Sequence, residues 1–295
     1  MQAGRSSRTA EYAASFRAVE SLRRPARVRL FEDPFAIQFI SPDLQRLVRI
    51  TGLPLLGALL RAYVDRRWPG AMTSGIARTR LIDEWLLASV RDGIRQVVLL
   101  GAGFDCRAHR LPELAPCRVF EIDHPDTQAR KRATLARLVK VQPPNIVYAP
   151  ADLTRDDLRQ VLQLTDLDWR DRIFLLWEGV THYIGAAAVD TTLRTVRAFA
   201  APGSRIVFTY LHGGLIDGTT EFDGARFSQN QVAGDGEPWI FGIYPNQLSA
   251  FLAERGYRLL EDCGANEYRA RYWGKRGQRM RGFAFYRAAL AEVQL

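Results

Sequence analysis

The residues best suited to chemistry are acids and one histidine that follow short apolar runs. The run VVLL, residues 97–100, passes into Gly101-Ala102-Gly103. Glycines let a backbone turn sharply and let a ligand approach it closely. A second run ends VFEIDHP, residues 119–125, and puts Asp123 22 positions beyond Gly101. An acid about 20 residues past a glycine turn can accept both hydroxyls of a ribose. Glu121 shares a strand face with Asp123, so one of the two is structural. Asp123, at the strand end, is the better ribose ligand. A third run ends in Asp152-Leu153, an acid for an adenine amino group beside an apolar side chain for its ring. The competing reading is that Asp152 caps a following helix. The fourth run, LLWEGVTHY at 175–183, brings Glu178 and Gly179 to the same crevice, with His182 four residues further on.

The glycine turn separates two cofactor classes. A dinucleotide fold prefers G-x-G-x-x-G, which asks for glycine at position 106, where this chain has Cys106. Asp105 stands in the turn, and an acid there repels a pyrophosphate. A cationic sulfonium with a free amino group suits it. The electrostatic sign favours S-adenosylmethionine over a nicotinamide dinucleotide. A nicotinamide-dependent oxidoreductase on a similar sheet is the alternative. The methionyl carboxylate would need an arginine.

The elements that must position these residues follow from periodicity. Segments 10–24, 34–50, 54–66 and 76–92 carry apolar residues at helical spacing. Asp33-Pro34 has the form of a helix start, with Asp as cap and Pro in the first turn. From residue 97 the pattern changes to short apolar runs at 97–100, 118–122, 146–148, 173–177 and 205–209. Helical stretches at 126–139, 154–164 and 186–200 separate most of them. Strands alternating with helices predict a parallel sheet covered on both faces. Residues 212–244, rich in Gly, Asp and aromatics, predict a long loop or lid. A helix at 245–255 precedes two strands, 257–262 and 281–287, expected as a terminal antiparallel hairpin. The expected fold is α/β: a doubly wound, Rossmann-like, mostly parallel seven-stranded sheet with an antiparallel C-terminal pair. One domain spans 1–295, with a helical cap (1–92), a cofactor-binding core (93–211), the lid-like insertion (212–244) and the C-terminal part of the sheet (245–295).

Composition bounds the function. Of 295 residues, 47% are hydrophobic and 25% charged, ordinary for a folded chain. Three cysteines with no metal-like spacing exclude a disulfide scaffold and a zinc ribbon and suit a reducing cytoplasm. The net charge is +9, but the arginines are scattered rather than gathered on one segment. No nucleic-acid partner is expected; an anionic small substrate fits the surplus as well. The most apolar stretch, Gly52 to Leu60, is too short to span a bilayer and reads as a buried helix. No membrane partner and no signal peptide are expected.

Taken together, the segments resemble the class I S-adenosylmethionine-dependent methyltransferases. More narrowly, they resemble the branch of leucine carboxyl methyltransferases and bacterial polyketide O-methyltransferases. The matching pieces are TAEYAASFRAVE (9–20), LFEDPFA (30–36), GIARTRLIDEWL (75–86), LLGAGFDCRAHRL (99–111), VFEIDHP (119–125), ADL (151–153) and WEGVTHYI (177–184). They run in family order over nearly the whole chain. The resemblance implies that Arg78, with Arg80 as alternative, holds the methionyl carboxylate. It implies that Gly101 and Gly103 flank the methionine moiety, Asp123 binds ribose, Asp152 and Leu153 meet the adenine, and Glu178 lines the cofactor site. Arg17 falls in the cap over the cofactor. Leucine carboxyl methyltransferases carry a lysine early in this cap. Here only Arg23 and Arg24 are found, which argues against a protein-terminus substrate.

Methyl transfer is an in-line displacement that depends on positioning. A carboxylate acceptor needs no general base, whereas a phenol or alcohol benefits from one. His182 is the candidate base and His212 the second; His109 and His124 read as capping or structural. Phe222, Phe227, Trp239, Phe241 and Tyr244 suit either a lid over a flat acceptor or a second core beneath a long loop. The expected acceptor is a small, aromatic or polyketide-like molecule offering a phenolic or carboxylate oxygen.

Overall fold

The structure, a computed structural model, describes residues 8–23, 26–153, 155–234 and 236–295. Arg24 and the first seven residues of the expected cap lie outside them. Seven strands form one sheet: β1 (Gln96–Leu100), β2 (Arg118–Asp123), β3 (Ile146–Pro150), β4 (Ile173–Trp177), β5 (Arg205–Leu211), β6 (Tyr257–Cys263) and β7 (Tyr286–Val293). Their order is β3-β2-β1-β4-β5-β7-β6. β1 to β5 run parallel, and β7 is antiparallel to both β5 and β6. The order reverses between β1 and β4, which creates the crevice where open α/β sheets bind ligands.

The helices are α1 (Arg8–Leu22), α2 (Pro42–Thr51), α3 (Pro54–Arg67), α4 (Ala71–Arg91), α5 (Arg107–Arg110), α6 (Pro125–Ala136), α7 (Leu158–Gln163), α8 (Ala186–Phe199), α9 (Gly213–Ile216), α10 (Ala225–Gly234), α11 (Leu248–Ala253) and α12 (Ala265–Gly277). Alternate strand residues point to opposite faces. Val97 and Leu99 pack with Leu81, Ile82, Trp85 and Leu86 of α4. Val98 and Leu100 pack with Leu158 and Leu162 of α7 and Val189, Leu193 and Val196 of α8. Burial on both faces explains why β1 and β4 read as unbroken apolar runs.

Four expectations need correction. The predicted helix 34–50 is two pieces, a 3-10 turn at Ala36–Phe39 and then α2. Pro42 bars its predecessor from helical geometry, and Ser41 is extended at φ −61°, ψ 155°. Asp33 does cap, but it caps the short turn: its Oδ1 accepts from Phe35 and Ala36 N–H at 3.1 Å each. The last strand is Tyr286–Val293, not 281–287, because Phe283 and Phe285 belong to a separate apolar cluster. The terminal pair is not a hairpin either, since α12 intervenes and β7 inserts between β5 and β6. Finally, the Gly52–Leu60 stretch is not a buried helix. Leu55 is 79% exposed and Leu59 65%.

Candidate active site

The turn after β1 is shaped for close approach. Gly101 has φ +68° and Gly103 φ +49°. A Cβ on Gly101 would stand 2.5 Å from Val180 Cγ2, so both conformation and space demand glycine. Gly101 and Ala102 N–H donate to the Ile122 carbonyl, which lashes the turn to the end of β2. Ala10 of α1 lies over Gly103. Cys106, where a dinucleotide fold would have glycine, is buried in the apolar cluster of the cap.

Asp123 sits at the end of β2, 8% exposed. Its carboxylate accepts from Gly103 N–H and, at 2.6 Å, from His124 N–H. Burial pushes this carboxyl up, opposed by those two N–H groups. Each carboxylate oxygen has a second lone pair, so Asp123 can still accept from hydroxyls. Glu121, its neighbour on the strand face, is instead locked to Lys131 at 2.7 Å, both 1% exposed. Leu153 packs beside Gly101 and Leu100. These leucines border a groove of about 650 Å³ between α7 and α8. Asp152 does not cap α7, which begins at Leu158 with Asp157 as its cap. Asp152 stands partly exposed, 3.7 Å from Arg155.

Deeper in the crevice lies a charge network. Arg78, in the body of α4, donates from Nε to Glu178 at 2.8 Å, and its guanidinium lies 4.6 Å over the Tyr286 ring. Its two Nη groups have no hydrogen bond among the described residues, so a bidentate face remains for a carboxylate. Arg80 points elsewhere, to Glu84 and the Leu30 carbonyl. The other Glu178 oxygen is held by Arg107 at 3.0 Å. Arg107 also binds Asp83 at 2.7 Å and Asp105, and Arg110 completes the group on Asp83. Three arginines thus face three acids. Burial would raise the Asp105 carboxyl, but Arg107, Lys131 and Arg17 outweigh it and hold it well below the usual carboxylate range. Glu178 is lowered likewise, by Arg107 and Arg78 against burial. Arg17 ties the cap to the turn, bonding Asp33 at 2.9 Å and the Phe104 carbonyl.

Arg107 is the candidate site residue that sequence reasoning missed. It changes the argument from Asp105, whose charge is met by Arg107 rather than left open for a cation. The neutral network as a whole suits a zwitterionic amino acid moiety.

His182 lies in a 3-10 turn, Thr181–Tyr183, just past β4. It is 1% exposed, with its ring 5.3 Å from Tyr286 and 6.1 Å from Trp239. Burial, and then the charge of Arg78, push its pKa down to about 3. Two buried polar atoms here lack a partner among the described residues, His182 Nδ1 and Trp239 Nε1. His212, the second candidate base, is a helix cap: its Nδ1 accepts from Gly214 N–H at 3.0 Å. His124 caps α6 in the same way. The aromatics of 212–244 divide among packed sites. Phe222 and Trp239 join Phe283 and Phe285 in a second small core. Phe241 belongs to the main core, and Phe227 meets Trp68 edge-on.

Comparison with known proteins identifies the frame. The sequence model of the family described as leucine carboxyl methyltransferase matches residues 10–197. A relative from Mycolicibacterium gilvum, named "Putative S-adenosyl-L-methionine-dependent methyltransferase", is 34% identical over 67% of this chain. A relative of the same name from Mycobacterium sp. (strain JLS) is 30% identical over 87% of this chain and 88% of its own length. The match spans only 62% of the M. gilvum protein. Among solved structures, a DUF574 family protein from Streptomyces avermitilis superposes with a TM-score of 0.58 at 14% identity, covering 95% of this chain and 97% of that one. That likeness concerns the fold. On sequence and fold together, the chain belongs to the leucine carboxyl methyltransferase family.

Proposed function

We propose that the chain transfers the methyl group of S-adenosylmethionine to an already ionised oxygen, a carboxylate or acidic phenol, on a small ring-bearing metabolite of polyketide type. In this reading Arg78 grips the methionyl carboxylate and Glu178 faces the amino group. Asp123 accepts from the ribose hydroxyls, and Asp152 and Leu153 meet the adenine. Gly101 and Gly103 leave room for the chain between them. The cofactor supplies a sulfonium-bound methyl that an oxygen nucleophile displaces. The residues that would hold it fit: Arg78 keeps a free bidentate face, and Gly101 has no space for a side chain.

The observation that carries the choice of acceptor is the pair of buried, partnerless polar atoms, His182 Nδ1 and Trp239 Nε1. Buried polar groups normally have partners, and these two belong to rings 6.1 Å apart past the end of β4, which supports a ligand atom at this place. A histidine with a pKa near 3 is a poor proton acceptor. It is better suited to orient an oxygen that arrives ionised, as an N–H donor. Labelled cofactor incubated with small aromatic acids, phenols of graded acidity and carboxyl-terminal peptides tests this. Turnover of acids and acidic phenols, absent with peptides, supports it. Turnover of peptides alone would favour the second reading, a protein carboxyl terminus, to which the family match points.

A further inference from the structure

Large exposed apolar side chains are not scattered on this protein. Of the thirteen among the described residues, seven lie between Leu47 and Tyr63. They are Leu47 and Ile50 of α2, Leu53 of the turn, and Leu55, Leu56, Leu59 and Tyr63 of α3. The geometry of the helix pair explains why. A Cβ on Gly57 would stand 2.2 Å from the Thr51 carbonyl, so α3 crosses the end of α2 in close contact. Arg61, one turn later on the same face, donates to that carbonyl at 2.6 Å. The inner face of α3 is therefore Gly57 and Arg61. Helical spacing turns Leu55, Leu59, Tyr63 and Arg66 outward together. α2 turns Val48 inward and leaves Leu47 and Ile50 outside. The two helices meet at 117°, and no single helix is long and apolar enough to cross a membrane.

The charge around this face is net positive. Residues 42–67 hold Arg46, Arg49, Arg61, Arg66 and Arg67 against Asp43 and Asp65. Arg46 is matched by Asp43, and Arg67 lies over the Phe227 ring at 3.6 Å. Arg49 and Arg66 are exposed and form no ion pair among the described residues. Behind them, burial and then the charges of Arg23 and Arg276 lower the pKa of Arg61, against the opposing charge of Glu20.

We propose that the α2–α3 hairpin docks on an anionic lipid surface, its leucines entering the interface and its arginines meeting the headgroups. An apolar strip fringed by arginine matches what such a surface selects. A second copy of the chain is the poorer occupant, because pairing two such faces would set arginines against arginines. The proposal replaces the expectation of no membrane partner, which rested on span length and on reading this stretch as a buried helix. It does not depend on the identity of the methyl acceptor.

Flotation with vesicles of phosphatidylcholine, with and without phosphatidylglycerol, tests it. The full chain should float with the anionic vesicles, less so at high salt. The Leu55→Glu/Leu59→Glu variant should bind them about a hundredfold more weakly, since two apolar contacts are lost. Its melting temperature and its binding of S-adenosylhomocysteine should match the unmodified chain. Should that variant melt early, Arg49→Glu/Arg66→Glu decides: loss of the preference for phosphatidylglycerol supports the proposal. Absence of binding to anionic vesicles, or undiminished binding by folded variants, overturns it. A dimer in light scattering that the leucine variant dissolves, without vesicle binding, assigns the face to a second copy and overturns it too.

Discussion

Replacing Arg107 by glutamine tests the charge network, and its cost follows from the contacts. Arg107 is 3% exposed and touches three acids. Two of them keep another arginine: Asp83 retains Arg110 and Glu178 retains Arg78. Only Asp105 loses its side-chain partner, with the Arg107 backbone N–H remaining at 2.7 Å. The penalty for stranding a buried charge therefore applies once, not three times. Breaking a buried pair costs about 3–5 kcal/mol. Asp105 is 15% exposed, which favours the lower end. About 3 kcal/mol corresponds to a fall of about 6 °C in Tm for a domain of this size. The sign of the pH dependence follows. The Asp105 pKa is depressed in the folded protein. It contributes stability that is present above the unfolded carboxyl value of about 3.9 and is lost as pH falls through the folded value. In the variant that carboxyl takes up a proton more readily, so the gap in Tm should narrow from pH 7 toward pH 4. Thermal melts across that range measure both. A variant within about 1 °C of the unmodified chain at pH 7, or a gap that widens in acid, would refute the reasoning.

Arg78→Lys should weaken S-adenosylhomocysteine binding about tenfold or more, because an ammonium cannot pair bidentately; Arg80→Lys should change it little in the same calorimetric titration. His182→Gln should lower the methylation rate less than about tenfold and leave the pH–rate profile unchanged. A limb between pH 5 and 8 that vanishes in this variant would restore His182 as the base. Gly101→Ala should destabilise the fold by about 1–3 kcal/mol in denaturant titration, since φ +68° and the contact with Val180 both oppose a side chain.

Legibility tracked burial. β1 and β4 are covered on both faces, so their sequences are continuous apolar runs and their limits read closely. β7 was misplaced because Phe283 and Phe285, more strongly apolar than the Ala288–Ala289 stretch, serve another cluster. α3 half-buries Leu60 and Val64 beside Gly57 and Arg61 and leaves Leu55 and Leu59 exposed, so apolar residues lie on both sides and periodicity cannot say which side is covered. The acids at strand ends were legible because strand and turn fix their direction. Arg107 was not: in a chain where only three of 41 basic residues are lysines, nothing in spacing marks one arginine. What distinguishes it is convergence of α4, the glycine turn and the end of β4, a tertiary fact. The base strength of His182 was hidden for the same reason. Burial, not neighbours in sequence, sets its pKa.

The central claim is that the crevice between β1, β2 and β4 binds S-adenosylmethionine through Asp123. Calorimetric titration of S-adenosylhomocysteine into the unmodified chain and into Asp123→Ala tests it most directly. One site per chain is predicted, weakened by about 1.5–3 kcal/mol in the variant, the range for a hydrogen bond to a charged group. Equal affinity in the two proteins, or binding of NAD in preference to S-adenosylhomocysteine, would contradict it.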